Sequence, residues 1–114
     1  MIVVTTDEIC GKRVVRTLGL VRGNTIRTRH IGKDIMAVFR NIVGGEVSEY
    51  TKLLGESREQ ALDRMVEDAT SVGANAIVSV RFSTSMIMGA AAELLAYGTA
   101  VVVIDEESAG TAEV

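Results

Sequence analysis

From Ala74 to Met86 the chain alternates in a way that leaves it few choices of fold. The even positions run Ala74, Ala76, Val78, Val80, Phe82, Thr84 and Met86, while most odd positions are polar. Period-two alternation of this length marks a strand with one face in a core. Tyr97 to Ile104 follows, rich in the β-branched residues that fit a pleated surface. The Ala-rich stretch from Gly89 to Glu93 is short enough to join the two as an antiparallel hairpin at the centre of a sheet. Setting Met88 opposite Glu93 places Phe82 by Thr99, Val80 by Val101 and Val78 by Val103. That register gives one large apolar face. The other face would carry Ser79, Arg81, Ser83 and Ser85 opposite Val102, Ala100, Gly98 and Ala96. Such a face is too apolar for water and too polar for a private core, so it reads as a contact with another subunit. Gly98→Arg on it should break the assembly or the fold.

The preceding segment supplies the partner layer. Val47 to Val72 carries Val47, Tyr50, Leu54, Ala61, Met65, Ala69 and Val72 at helical spacing, widened by Leu62 and Val66. The opposite face holds Glu56, Arg58, Glu59, Asp63, Glu67 and Asp68. The stripe keeps phase across Gly55, which favours one continuous helix although Ser57 to Gln60 has the form of a capping box. Gly73 ends it and leads into the strand, so Leu62, Met65, Ala69 and Val72 are expected against Val78, Val80 and Phe82.

Before the helix, Ile2 to Thr6 reads as an edge strand and Lys12 to Arg22 as another, with Gly19 hinting at a bulge or a close backbone approach. Gly23-Asn24 should break that strand, leaving Thr25 to Arg29 as a separate short one. A further helix is expected at Lys33 to Val43, stopped by Gly44-Gly45. The chain thus reads as one α+β domain, with the long helix packed on an antiparallel hairpin. Residues 106–114 form a short acidic tail.

Composition narrows the function. The chain is 47% apolar but has no Trp, two Phe and two Tyr, so its core is aliphatic. A mean hydropathy of +0.28 is high for a small monomer and favours self-association. The lone Cys10 excludes an intrachain disulfide and, with no secretory leader at Met1 to Thr6, points to the cytoplasm. Met86 to Ile104 is nineteen residues with Glu93 as its only charge, close to a membrane span. The carboxylate, Gly89 and Gly98 argue against one. Eight of the twelve basic residues lie between Lys12 and Arg40. With a pI near 5.1 and no interleaved aromatics, this band does not read as a nucleic-acid surface. Its basic flank would instead meet a small anion or the acidic helix of a neighbouring copy.

Six runs in order resemble the YbjQ-like family. They are Gly19 to Asn24, Arg29 to Ala37, Asn41 to Glu46, Arg58 to Met65, Gly73 to Ile77 and Ala96 to Val101. The resemblance covers residues 1–105 and implies a dodecin-like domain, a two-layer β-α-β-β unit with an antiparallel sheet, assembled as a ring homopentamer, in a family of unassigned activity that carries a heavy-metal-binding label. One Cys and one His fall short of the three or four protein ligands of a zinc site. A divalent or heavy metal ion would therefore need a symmetry ring, with His30 as the candidate ligand from each copy. Arg22, Arg27, Arg81 and Gly98 are the ligand or interface candidates, and no catalytic residue is assigned. The leading reading is a non-enzymatic ring that binds a metal or small ligand at subunit boundaries. The alternatives are a structural ring without a ligand of its own, then an enzyme on an anionic small molecule contacted by Arg27, His30 and Arg81.

Overall fold

The structure is a computed structural model and describes residues 1–27, 47–87 and 91–106, with backbone alone for residues 27, 47–53, 86–87 and 91–92. The expected helix at Lys33 to Val43 and most of the acidic tail lie outside the described residues. Within them the order is β1 (Ile2–Val3), β2 (Lys12–Arg27), α1 (Val47–Ser71), β3 (Ala76–Ile87) and β4 (Ala91–Asp105). The strands form one sheet in the order β1-β3-β4-β2, with β4 inserted between the two strands that α1 joins. This is a mixed α+β fold. The sheet is mixed as well, because β1 pairs with β3 in parallel while β4 runs antiparallel to both β2 and β3. The stretch weighed as a membrane span is built as strands, and no described helix is long and apolar enough to cross a membrane.

The central hairpin forms, but in another register. Phe82 pairs with Ala96 and Arg81 with Tyr97, three residues along β4 from the expected pairing. Val78 pairs with Thr99, and the register slips between Val78 and Arg81. At that slip Ser79 adopts φ 56°, a left-handed conformation costly for a residue with a Cβ. It is held from outside the hairpin. The Ser79 N–H donates to Thr6 O at 2.9 Å and its hydroxyl to Asp7 Oδ1 at 2.7 Å, while the Val80 N–H donates to Val4 O.

The bulge reverses the phase of the alternation. Ile77 and Val80 turn toward α1 with Ala96 and Ala100, whereas Ala76 and Val78 turn the other way with Val101 and Val103. The expected face of Val78, Val80 and Phe82 is therefore split: only Val80 meets the helix, and Phe82 stays 44% exposed. The second small cluster is covered by Ile2, Val4 and Ile9 of the same chain. Gly98 and Ala100 face the helix and are buried, not set beside Ser83, which is exposed on the other side.

Helix α1 runs unbroken through Gly55 and buries Ser57, Ala61, Met65 and Ala69, an i, i+4 series. Leu62 and Val66 are partly buried, while Leu54 in the first half of the helix and Val72 just past its end are exposed, contrary to the expected stripe. The helix ends as expected. Gly73 has φ 88°, its N–H donates to Thr70 O, and the Ala74 N–H donates to Ala69 O, the two bonds of a Schellman cap.

The helix lies chiefly over β2 and β4 and barely touches β3. What lets it settle there is Gly23. A Cβ at this position would stand 2.3 Å from both the Ala61 carbonyl oxygen and the Met65 amide nitrogen. The Gly23-Asn24 pair thus does not break the strand as expected: β2 continues through it to Arg27. Gly19 does mark a bulge, since the β2–β4 register shifts between Thr17 and Gly19. At the base of the sheet the Asn75 side-chain amide copies a backbone pair, donating to Val103 O at 2.9 Å and accepting from the Val103 N–H at 2.8 Å.

Two predictions follow from the helix seat and the bulge. Gly23→Ala should lower unfolding stability by about 3 kcal/mol, because the neighbour is backbone and cannot yield. Gly55→Ala, where a Cβ meets nothing within 4 Å, should raise it by about 0.5–1 kcal/mol. Urea unfolding of the pair checks this, and equal stabilities would refute the close approach. At the bulge, Ser79→Asp should cost roughly 1 kcal/mol by turning a donor toward Asp7 into a like charge. Val80→Asp should cost several kcal/mol through an unpaired buried carboxylate. Thermal melts that rank Ser79→Asp as the worse variant would contradict the assignment of faces.

Candidate functional site

The face of the sheet away from α1 is covered only in part. Ile2, Val4 and Ile9 shield its lower half over Ala76, Val78, Val101 and Val103. Above them the pairing continues in rows across β2, β4 and β3. Leu20, Thr99 and Val78 form one row, Arg22, Tyr97 and Arg81 the next, then Asn24, Leu95 and Ser83. Leu20 is 67% exposed, Arg22, Arg81 and Ser83 are exposed, and Tyr97 is half-buried between its neighbours. Opposite residues in a sheet project from the same face, so Arg22, Tyr97 and Arg81 are rooted on one side of the sheet.

The Arg81 guanidinium donates to Thr5 O at 2.8 Å and to Val80 O at 2.9 Å, which holds it over the outer edge of β3, on the side of the N-terminal segment. The backbone N–H of Arg22 donates to Asp68 Oδ2 at 3.1 Å, and Arg64 donates to Asn24 O at 2.5 Å. Asp68 and Arg64 of α1 thereby clamp the outer edge of β2 on both sides of Gly23. Glu93, further along the same face, accepts from the Asn24 side-chain amide at 2.9 Å. Among the described residues neither Arg22 nor Arg81 has a carboxylate in ion-pair range.

A concavity lies at the base of the sheet. It is an open cleft of about 980 Å³, lined by Asp7, Glu8, Cys10, Lys12, Val103 and Glu106 among others. Cys10 is a free, exposed thiol there. Lys12 donates to Asp105 and, chiefly through that hydrogen bond and then its charge, holds the Asp105 carboxyl below the usual carboxylate range. The pair's contribution is present above the ordinary aspartate pKa and lost as pH falls through the lowered one. With Asp105 81% exposed, that contribution is small.

Of the candidates read from sequence, the structure brings Arg22 and Arg81 together on one face. Gly98 is placed on the opposite face. There a Cβ would stand 2.8 Å from Ile77 Cγ2 and 3.1 Å from Val80 Cγ2, so Gly98 is a packing residue of the chain's own core. Arg27 ends β2 opposite Ala92, with its side chain outside the described residues, as is all of His30. No grouping of three or more His, Cys, Asp or Glu able to hold a metal ion occurs among the described residues. The donors described in one chain therefore do not fit a metal centre. Sequence reasoning missed Tyr97; parity along β4 sets it opposite in face to Gly98, but only the register puts two arginines beside it.

Comparison with known proteins places this architecture. The chain is 58% identical over 105 residues to a UPF0145 protein of Methanosarcina acetivorans, covering 92% of this chain and 99% of that one. It is 54% identical over 108 residues to a UPF0145 protein of Clostridioides difficile, covering 95% and 96%. A solved structure of a protein of unknown function from Pediococcus pentosaceus, assigned to the DUF74 family, matches the fold with a TM-score of 0.55 at 13% identity. It covers 93% of this chain and 98% of that one. Residues 1–104 match the YbjQ family model, described as "Putative heavy-metal-binding". The chain belongs to this YbjQ family, the family of the UPF0145 proteins.

Proposed function

We propose that this protein is a non-enzymatic, self-assembling binding protein, working as a dodecin-like ring homopentamer that takes its ligand at subunit boundaries in the cytoplasm. The observation that carries this reading is the unfinished sheet. The outer edge of β3 is bonded by β1 and residues 4–6 only as far as Val80, which leaves Arg81 to Ile87 without a strand among the described residues. The outer edge of β2 is clamped by α1 at Arg22 and Asn24, while Lys12 to Leu20 has no strand on that side among the described residues. Open edges are templates for pairing. These two differ in sequence and lie on opposite sides of the sheet, which suits a head-to-tail contact that closes into a ring. Val14, Val15, Leu20 and Phe82 are exposed along them.

A heavy metal is compatible with this reading only as a shared ligand. One chain offers a single imidazole and a single thiol, so a centre would draw one donor from each of several copies, His30 first. Native mass spectrometry with elemental analysis tests both halves. The expected result is a five-subunit mass for the wild type and a smaller species for Phe82→Glu. That substitution costs the subunit little because the side chain is already half outside. A monomer for the wild type would sink the assembly. Metal retained by the wild type but lost in His30→Ala supports the shared centre, and equal retention in His30→Ala and Cys10→Ser removes both as ligands.

A further inference from the structure

The alternation in the sequence of β3 and the strand that forms from it disagree. Over residues 78–85 the even positions are Val78, Val80, Phe82 and Thr84, and the odd ones Ser79, Arg81, Ser83 and Ser85. A regular strand would sort these onto two faces. The structure breaks the pattern with one extra residue: Ser79 and Val80 together stand opposite Gly98. Val80 and Phe82 therefore go to the helix side, while Val78 stays on the other. Nothing in Ser79 itself favours this, since a φ of 56° suits glycine far better than a residue with a Cβ. The N-terminal segment holds it there, through four consecutive residues that each accept one hydrogen bond from residues 79–81. Val4 O takes the Val80 N–H at 3.1 Å, Thr5 O the Arg81 guanidinium at 2.8 Å, Thr6 O the Ser79 N–H at 2.9 Å and Asp7 Oδ1 the Ser79 hydroxyl at 2.7 Å. Thr5, Thr6 and Asp7 are exposed, so water competes for their bonds. On the helix side the bulge is favoured by Val80, which is buried over Gly98.

We propose that residues 4–7 are a latch on a register switch in β3, closed in this structure. With the latch open, Ser79 relaxes to extended backbone and the pairing of Val78 with Thr99 continues without a break along the strand. Val80 then meets Tyr97, Arg81 meets Ala96 and Phe82 meets Leu95. Every side chain in the outer half of β3 changes face. On the side away from α1, Val80 and Phe82 take the place of Arg81 and Ser83, so an apolar surface replaces a polar one. Val80 gives up its seat over Gly98 and joins Val78, while Arg81 releases Thr5. The sequence thus carries two registers, one written in its alternation and one imposed by the N-terminal segment. The switch is a property of one chain and stands apart from the assembly proposed above.

Cross-strand NMR contacts report the register directly, because Phe82 lies opposite Ala96 with the latch closed and would lie opposite Leu95 with it open. Amide relaxation dispersion over residues 79–85 reports exchange between the two. The full chain is compared with Asp7→Ala, which removes one bond of the latch, and with the double variant Asp7→Ala/Ser79→Gly. Asp7→Ala should raise the ratio of unbulged to bulged strand by about tenfold, as for a lost hydrogen bond to a charged group. Adding Ser79→Gly should lower it again by about tenfold, because glycine takes positive φ without the penalty of a Cβ. Subunit number is measured for each protein, since the assembly reading fails on that number and the switch on the pairing. A single register with Phe82 opposite Ala96 in all three proteins, Asp7→Ala doing no more than lower the melting temperature, would overturn the switch. So would an unbulged population that Ser79→Gly fails to reduce. Should Asp7→Ala not fold, the wild type decides, and an absence of exchange over residues 79–85 counts against the switch.

Discussion

Backbone meets backbone where β2 passes under α1, and most of the molecule's arrangement depends on that contact. Gly23 has no side chain to hold the helix away, and Ala61 and Met65 close directly over it. Around the contact the interface is small on both sides, with Ala61 and Ala69 from the helix and Ala96, Gly98 and Ala100 from β4. Met65 and Ile77 are the largest side chains fully enclosed, each worth roughly 1.5–3 kcal/mol of burial. Asp68 and Arg64 then fasten the strand edge to either side. A helix seated this low can cover β2 and β4 but not reach across β3. The upper part of β3 is left bare among the described residues, and that shortfall is what a neighbouring copy would complete.

Much of this was written in local pattern. Alternation located β3, and β-branched density located the second half of β4. Spacing found the helix, and Gly73 its end. What local pattern could not supply was phase between strands. The bulge that splits Val78 from Val80 rests on Ser79, a residue with no preference for positive φ, held there by Thr6 and Asp7 more than seventy positions away in the chain. Gly23-Asn24 misled for a related reason. A glycine required for close approach looks, in sequence, the same as a glycine required for a turn. The candidate site shows the same limit. Arg22 and Arg81 were each singled out for charge, but that they share a row with Tyr97 is a property of two registers, neither of which is encoded locally.

The heavy-metal label of the family sits poorly on the donors of a single described chain, and well only on an assembly that repeats one donor by symmetry. Among the described residues, an unfinished sheet with one helix-covered face and one half-covered face leaves edges for such copies.

Whether copies do complete the sheet can be read most directly from amide hydrogen exchange, residue by residue, along Arg81 to Ile87. Successive amides in an antiparallel strand point alternately to either side, so in an isolated subunit four of these seven would face β4 and three would face water. If a neighbour's strand completes the edge, all of them are protected, and the outward set loses its protection on dilution below the assembly's dissociation constant. Protection confined to the β4-facing amides at every concentration, with the outward set exchanging at the rate of open chain, would contradict the account.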